Sequence, residues 1–528
     1  MLDTAAVPMP LVLRAAPGGD RVLTPEALGF VAVLQARFGL RLHSLMVARA
    51  RRQDRFDRGE LPDFLPETTE IRQGVWEAGP VPECLRNRRV EIVGPVDPAA
   101  LAAALDAGAD AVVADFEDAT SPGFAALVAG HAGLLDPATG PALLTVRPRG
   151  LHMAEANVLI GGQPVSAALF DVGLALFHSG RALAASGRGP FFCLPKLESH
   201  REARFWNEVF LFAQDRLGLP EGTIKATVPI ETLPAAFEMD EIVWELRNHI
   251  AALACGRRGC VFSYIKTLRN HGAYILPDRD EVTTDRAFLA ACAAQLVAVC
   301  RRRGIRALGG VAAAIPAGGD GQAGAAALAG VRADAQRQAD LGHDGVRIAH
   351  PGLVPAARAA FAAAMPGPGP IRTPRPEARP EIRPEARIDA ARLLAPHQGQ
   401  VTERGIRANI AVAVECLAHW LQGRGTVPVG DRLENAATAE IGRAQLWQWR
   451  RHGASVVLAD GSEGRLTDAW FGQLMQEEIV ALLDRLGPGA FHRGHYASAA
   501  RIVQEAVAAD TLPDFITTPA YRVLNALG

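Results

Sequence analysis

Cysteine is scarce in this chain, and the cysteines that occur follow no recognisable spacing. Seven are present among 528 residues, at positions 84, 193, 255, 260, 292, 300 and 416, and no two form a C-x-x-C pair. Disulfide frameworks and structural zinc sites need numerous or closely spaced cysteines. The sequence therefore argues against both and favours a reducing compartment, for which the cytoplasm is the default expectation.

Targeting segments and a charge excess are also missing. The first residues, MLDTAAVPMP, lack the pattern of a secretion signal, and the last, NALG, do not form a peroxisomal address. No uninterrupted apolar run approaches the roughly 20 residues that span a bilayer. The 55 basic residues are scattered and offset by 57 acidic ones, for a net charge of −2. We therefore expect neither nucleic acid nor a membrane as a partner.

The chain is long enough for two or three domains, and its composition changes along its length. Residues 1–88 have a helical pattern, in which Thr24-Pro25-Glu26 is a typical helix start. Residues 364–390 carry a proline every few positions, which favours an extended linker, although an SH3-type ligand remains an alternative. Residues 391–528 return to a helical pattern.

Between residues 89 and 363, short buried strands alternate with helical segments. Eight strands of this kind, most of them separated by lengths that suit a helix, predict an α/β fold, a (β/α)8 TIM barrel. The predicted strands are Arg89–Gly94, Ala111–Phe116, Leu143–Arg147, Phe191–Pro195, Ala226–Ile230, Val261–Ile265, Ala307–Ala314 and Val346–Ala349.

The segment from Ile224 to Lys266 contains the strongest candidate for a functional site. We read Ile224–Ile230 as a strand, Pro234–Ala251 as a helix and Cys260–Ile265 as the next buried strand. Ligands of a barrel gather at the C-terminal ends of its strands. Glu231, directly after the first of these strands, is therefore the strongest single candidate for chemistry.

The same stretch carries a family resemblance. IETLPAAFEMDEI, followed by CGR and FSYIK, resembles the central segment of the malate synthases in their shorter single-chain form. The resemblance covers nearly the whole chain and implies an N-terminal helical clasp, a barrel and a C-terminal helical plug. It also implies the family reaction, in which acetyl-CoA, glyoxylate and water give malate and CoA in the glyoxylate cycle. The implied partners are an acyl-CoA and a small 2-oxo acid such as glyoxylate.

By this resemblance, magnesium would be held by two carboxylates. Glu231 matches the first, whereas Gly259 stands where the family's GRWDY segment has its aspartate. Magnesium prefers hard oxygen ligands, so we expect a single carboxylate to bind it only weakly. Arg258 could pair with Glu231 and replace the lost cation, or it could be an ordinary surface arginine.

VRPRGLH and DFED supply further candidates. By resemblance, Arg147 stabilises the enolate oxygen and orients glyoxylate, a task that suits a permanently charged guanidinium. The alternative is a structural ion pair with Asp115 or Glu117. We expect Asp115, Glu117 and Asp118 to fix the orientation of Arg147, although acids in this place can also bind metal.

The catalytic base of the family lies in a segment reading MEDAATAEIS, and this chain reads LENAATAEIG. Asn435 therefore occupies the position of the catalytic aspartate, and an amide cannot remove a proton from the acetyl methyl group. Glu434 could take over this role only if the loop were rearranged. Asn435 is also well suited to cap a helix over Ala436–Arg451.

Two functional hypotheses follow from these replacements. In the first, the chain is a malate synthase in which other groups rescue both losses. In the second, it is a diverged paralogue that keeps the barrel and acyl-CoA pocket but has impaired or altered activity. The sequence leaves open the substrate of a diverged site, the oligomeric state, and whether Arg258 or Glu434 compensates.

Overall fold

The computed structural model describes residues 8–135, 140–316, 322–364 and 388–527. The predicted proline-rich linker, 364–390, falls almost wholly on residues 365–387, which lie outside the described residues.

A closed barrel of eight parallel strands forms the centre of the molecule. Each strand is a buried apolar run, as expected for parallel strands whose outer faces are covered by helices. This architecture confirms the predicted (β/α)8 fold. In chain order the first to eighth barrel strands are Val90–Gly94, Ala111–Asp115, Leu143–Arg147, Phe191–Cys193, Lys225–Ile230, Ile250–Cys255, Arg306–Ala312 and Gly345–Ile348.

The prediction for the sixth strand was wrong. The sixth barrel strand is Ile250–Cys255, IAALAC, and the predicted strand Cys260–Ile265 lies inside a helix, Arg257–Thr267. The predicted helix Pro234–Ala251 is instead two short helices, Leu233–Phe237 and Met239–Glu245. Alanine favours helix by intrinsic propensity, but full burial between the fifth and seventh strands outweighs that preference here.

Helices surround the barrel and build both ends of the chain. The α-helices are Gly19–Val22, Pro25–Asp57, Thr69–Gln73, Glu83–Arg86, Pro98–Asp106, Phe124–Ala132, Ala167–Ala185, His200–Leu217, Leu233–Phe237, Met239–Glu245, Arg257–Thr267, Ala287–Arg302, Gln322–Leu341, Val354–Ala364, Ala390–Leu394, Glu403–Leu421, Ala436–Arg451, Asp468–Leu486, Pro488–Arg493, Tyr496–Ala508 and Thr517–Leu527. Short 3-10 helices cover Pro66–Thr68, Gly272–Tyr274, Arg279–Glu281 and Pro351–Leu353.

The long N-terminal helix, Pro25–Asp57, begins where the sequence predicts. The Thr24 hydroxyl accepts a hydrogen bond from the backbone N–H of Ala27 at 3.2 Å, which caps the first turn. Among the described residues, this is the one helix whose length and apolar composition would suffice to cross a membrane. Core helices of soluble proteins can have the same length and composition. Arg49 on this helix forms an ion pair with Glu202 at 2.7 Å, which ties the helix to the barrel.

The C-terminal helices cover the C-terminal end of the barrel. A hairpin of Thr426–Val429 and Arg432–Asn435 reaches the segment just beyond the seventh barrel strand. The backbone N–H of Leu433 donates to the Ala313 carbonyl at 2.7 Å. The remaining short strands form two small sheets: Leu11–Val12, Ala154–Ile160 and Gln163–Ser166 in one, and Val401–Thr402, Ser455–Val457 and Glu463–Arg465 in the other.

Candidate functional site

Charged side chains converge at the C-terminal ends of barrel strands two, three and five. Asp115 ends the second strand and lies opposite Arg147, the last residue of the third. Glu231 follows the fifth strand directly. All three side chains are buried. Because they sit on neighbouring rigid strands, their relative positions are fixed by the sheet itself.

Arg147 contacts three carboxylates at once. Its Nη1 lies 2.9 Å from Asp115 Oδ2 and 2.8 Å from Asp118 Oδ2. Its Nη2 donates to both oxygens of Glu231, at 3.0 and 3.2 Å. Burial alone would lower the pKa of Arg147, but Asp115, Glu231 and Asp118 together raise it well above its ordinary value. The guanidinium is therefore permanently charged and held in one orientation.

Lys196 is the central residue that sequence reasoning missed. Its backbone N–H donates to Glu231 Oε1 at 2.8 Å, and its ammonium binds both Glu117 and Asp118, the latter at 2.9 Å. Its φ is +52°, a left-handed conformation that few non-glycine residues adopt and that points to a functional constraint. Lys196 lies in the segment LPKLESH, in which no periodicity reveals this geometry.

The three acids of the DFED segment differ in their electrostatic environment. Burial raises the pKa of Asp115 despite its contact with Arg147. Burial, the largest single influence, acts to raise the pKa of Glu117 and Asp118, but Lys196, Arg147 and further neighbours together outweigh it and lower the pKa of both. Glu117 further accepts the backbone N–H of Gly150 at 2.6 Å. The ion pairs place Asp115 and Asp118 on Arg147, as expected, whereas Glu117 pairs with Lys196 rather than with Arg147.

Gly259 lies against Glu231, on the first turn of the helix Arg257–Thr267. A Cβ atom at this position would stand 2.7 Å from the Glu231 carbonyl oxygen and 2.8 Å from the Glu231 Cβ. Distances below 3.0 Å do not occur at real Cβ atoms, so any side chain here would have to displace the helix or the strand end. The position has therefore lost both the carboxylate expected by resemblance and the space for one.

Asn435 is the N-cap of the helix Ala436–Arg451. Its side-chain oxygen accepts a hydrogen bond from the backbone N–H of Ala437 at 3.2 Å. The preceding residue, Glu434, is buried and ion-paired with Arg258 at 2.9 Å, and it also accepts the hydroxyl of Thr438. The suggested pairing of Arg258 with Glu231 was wrong, because position 258 belongs to a helix whose first turn directs this side chain toward the hairpin.

A second group that sequence reasoning missed surrounds Phe515. The imidazole of His152 stacks on this ring at 3.9 Å between centroids, and the ammonium groups of Lys196 and Lys266 lie 5.3 and 5.0 Å from its centre. Burial lowers the pKa of His152 to about 3, so the ring is neutral near pH 7. Phe515 thus brings the C-terminal loop to the edge of the charged site.

This loop is anchored by the helix Ala436–Arg451. Arg443 donates to the Pro513 carbonyl at 2.8 Å, and Glu440 accepts the backbone N–H of Ile516 at 2.6 Å. One helix therefore carries both Asn435 at its start and the support of Phe515 two turns later. The contact could not be found from local sequence, because it joins residues far apart in the chain.

The donor set does not make a two-carboxylate metal site. Within the part of the chain that the structure describes, no three His, Cys, Asp or Glu side chains are grouped so that they could hold a metal ion. Both oxygens of Glu231 face Arg147, and Gly259 offers no donor. Arg147 and Lys196 supply two positive charges against the four carboxylates of Asp115, Glu117, Asp118 and Glu231.

Comparison with known proteins gives a consistent result along the chain. Three family models match: malate synthase N-terminal domain at residues 7–70, malate synthase TIM barrel domain at 143–385 and malate synthase C-terminal at 400–524. The malate synthase of Myxococcus xanthus is 45% identical over 527 residues, covering 97% of this chain and 95% of that protein. Malate synthase A of Escherichia coli is 42% identical over 521 residues and covers 96% of each chain.

More distant matches were also found. A glyoxysomal malate synthase of Zea mays is 42% identical, covering 96% of this chain and 93% of that protein. Among solved structures, a Haloferax volcanii malate synthase in a ternary complex with pyruvate and acetyl-CoA matches with a TM-score of 0.48 at 16% identity. It covers 77% of this chain and 97% of that one, and at this distance it carries no argument about the site.

Proposed function

The chain belongs to the malate synthase family, and from that premise we propose that it is a diverged member whose condensation of acetyl-CoA with glyoxylate is impaired or altered. The proposal rests on the identity of the residues at positions 259 and 435. Asn435 stands at the place of the family's catalytic base, and Gly259 stands at the place of its second metal ligand. Neither side chain can perform the chemistry of the aspartate it replaces.

The surroundings of Asn435 support this proposal. The amide is engaged as a helix cap, and the adjacent carboxylate of Glu434 is held by Arg258 and Thr438. A general base must reach the proton that it removes and must have a free lone pair directed at it. Because Glu434 is locked in an ion pair, it does not take over from position 435.

The cofactor requirement follows the same reasoning. Magnesium would find Glu231 as its one carboxylate of the expected pair, and Arg147 and Lys196 already surround that carboxylate. Hard cations that keep few protein ligands depend on substrate oxygens for the rest of their coordination. We infer that magnesium binds weakly and only together with an oxo acid.

The parts of the site that remain suit the binding of substrate. Arg147 presents a fixed cation at the barrel end, a group able to stabilise a carboxylate or an enolate oxygen. We propose an acyl-CoA and a small 2-oxo acid as the ligands. We also propose the cytoplasm as the location and a division into clasp (1–88), barrel (89–363), linker (364–390) and plug (391–528).

An authentic malate synthase is the second candidate, and two observations favour it. Relatives with this name are 42–45% identical over almost the whole chain. The arrangement of Arg147, Glu231 and Lys196 is also tightly built, with the ion pairs and hydrogen bonds of a site held ready for a ligand. In this case groups other than Asn435 and Gly259 would have to perform both lost functions.

A CoA-release assay separates the two candidates. Purified full-length protein is incubated with acetyl-CoA, glyoxylate and magnesium, and free thiol is followed over time. Loss of a general base costs about 10²–10⁴ in rate, so we expect turnover far below the roughly 1–10³ per second of ordinary enzymes. A turnover number inside that ordinary range would refute the proposal and establish the second candidate.

A further inference from the structure

Four arginines gather where the sixth barrel strand, the hairpin and the loop after residue 278 meet. We call Arg257, Arg258, Arg279 and Arg432 the arginine cluster. Arg257 donates to the Val282 carbonyl at 3.0 Å, and the backbone N–H of Val282 bonds to Arg279. Two of the four arginines are thus tied to one short 3-10 helix.

The other two arginines meet at one buried carboxylate, that of Glu434. Arg258 lies 2.9 Å from Glu434 Oε2, and the Nε of Arg432 lies 3.7 Å from Oε1. Arg258 also donates to the Leu433 carbonyl at 2.9 Å. No other carboxylate of the described residues forms an ion pair with a member of the cluster. Glu434 therefore pairs with two members of the cluster, and within the described residues Arg257 and Arg279 have no ion-pair partner.

The excess of positive charge has measurable signs. Burial, followed by repulsion from Arg432 and Arg258, lowers the pKa of Arg257 to about 10. The Nη1 atom of Arg279 is buried and has no hydrogen-bond partner among the described residues. A buried guanidinium nitrogen without an acceptor is costly. An anion bound in the cluster would reduce the repulsion between the guanidinium groups and could accept a hydrogen bond from Arg279 Nη1.

The cluster is open to ligands from the barrel end. Gly256 and Gly259, which flank Arg257 and Arg258, are only partly buried, and the Arg432 side chain is 49% exposed. The first backbone N–H groups of the helix Arg257–Thr267 have no intrahelical acceptor and add positive potential at the same place. The opening therefore combines arginine donors with a helix N-terminus.

We propose that the arginine cluster is an anion-binding site that holds an oxyanion of the substrate, a carboxylate or a phosphate, without a metal ion. The proposal rests on the proposed function in one respect, that the same cleft receives an acyl-CoA and a 2-oxo acid. Guanidinium groups bind both kinds of oxyanion through paired N–H donors. In this cleft the cluster supplies the positive charge that a divalent ion would otherwise bring.

Calorimetry on full-length protein with EDTA present tests the site in two arms. One arm titrates CoA, which offers phosphates, and the other titrates glyoxylate, which offers a carboxylate. The variants are Arg432→Gln and Glu434→Gln, with Arg501→Gln as the control, because Arg501 is an exposed arginine with a single exposed partner, Glu505. Unfolding curves verify that every variant is native.

The two cluster variants should shift affinity in opposite directions. Arg432→Gln removes a charged donor and should weaken binding about tenfold in at least one arm. Glu434→Gln releases the donors of Arg258 and Arg432 and should tighten binding in that same arm, whereas Arg501→Gln should change neither. The affected arm identifies the oxyanion as phosphate or carboxylate.

Three results would overturn the proposal: unchanged binding of both ligands by Arg432→Gln, weaker binding by Glu434→Gln while the protein stays folded, or binding that requires magnesium. Arg432 is half exposed, so its variant remains informative if Glu434→Gln fails to fold. A fast turnover in the CoA-release assay would refute the proposed function and leave these binding results standing, so the two failures are distinguishable.

Discussion

Placing carboxylates at positions 259 and 435 is the sharpest test of the proposed divergence of this site. Asn435→Asp replaces an amide by a carboxylate of nearly equal volume. Aspartate caps a helix about as well as asparagine, so the hydrogen bond to Ala437 persists and the variant should fold normally. In a site that also holds the second carboxylate, the return of the base is worth about 10²–10⁴ in rate, or roughly 3–5 kcal/mol of transition-state stabilisation.

Gly259→Asp is a harder change. The new Cβ would lie 2.7 Å from the Glu231 carbonyl oxygen, which belongs to the rigid end of a barrel strand. Overpacking of this kind costs about 1–3 kcal/mol, whereas an acid in the first turn of a helix returns only about 0.3–1 kcal/mol. We therefore expect this single variant to be less stable than the parent and no more active.

The assay compares CoA release by the parent, the two single variants and the double variant, all with magnesium and glyoxylate. By the family resemblance, the two carboxylates would perform different tasks, one enolising acetyl-CoA and the other helping to hold a metal ion. Each alone should therefore give little, and the pair should give much more than the product of the two single effects. Urea unfolding of all four proteins separates loss of fold from lack of chemistry.

Two outcomes would refute this reasoning. Full activity of Asn435→Asp alone would show that the second metal carboxylate is dispensable in this chain. A folded double variant that stays inactive would show that the site has changed beyond these two positions. In that case a different substrate or a non-catalytic role becomes the better account.

Three further predictions concern the charged site and its edge. Lys196→Met should lower the free energy of unfolding by about 3–5 kcal/mol, because it strands Glu117 and Asp118 as buried unpaired charges, and Lys196→Arg should lower it less. The pKa of His152 is about 3 in the folded protein, below its value of about 6.5 in the unfolded chain. Its contribution to the stability of the fold is therefore fully present above pH 6.5 and is lost as the pH falls toward 3. Through this residue, the free energy of unfolding of the parent should therefore fall by about 2 kcal/mol between pH 7 and pH 5. His152→Phe should remove this fall in urea titrations. The substitution breaks no hydrogen bond, because the ring nitrogens of His152 have no partner among the described residues. Calorimetry should find weak magnesium binding only with glyoxylate present and none in Glu231→Gln, whereas tight binding to the free protein would reveal a ligand set centred on Glu117 or Asp118.

The barrel and two of its site residues could be predicted from the sequence because they follow short-range rules. Parallel barrel strands are continuous apolar runs, and seven of the eight were located within a few residues of their observed limits. Arg147 and Glu231 each come directly after, or at, the end of such a run. Their meeting then follows from the closure of the sheet.

The sixth strand shows where periodicity fails. IAALAC is short, wholly apolar and rich in alanine, so its pattern fits a buried helix as well as a buried strand. The chosen alternative, CVFSYI, has more β-branched and aromatic residues, yet it forms the buried helix that follows. Because of this error, Arg258 and Gly259 were expected just before a strand, whereas they lie in the first turn of a helix.

Lys196 and Phe515 could not be predicted for different reasons. The role of Lys196 depends on a positive φ that no local pattern encodes, since lysine seldom adopts it. Phe515 reaches the site through the packing of the C-terminal loop on the helix Ala436–Arg451, a contact between distant parts of the chain. Both are consequences of tertiary structure alone.

The replacements at 259 and 435 are best understood together with their neighbours. The family pattern places carboxylates at 259, 434 and 435, whereas this chain keeps the one at 434 and adds a guanidinium at 258. Local charge thus changes from three negative to zero, and Arg258 and Glu434 neutralise each other at 2.9 Å. In the proposed anion site, Arg257, Arg279 and Arg432 beside this neutral pair supply the positive charge that would attract an oxyanion. We therefore interpret the residues at 258, 259 and 435 as one local change beside the arginine cluster, from three carboxylates to a neutral pair.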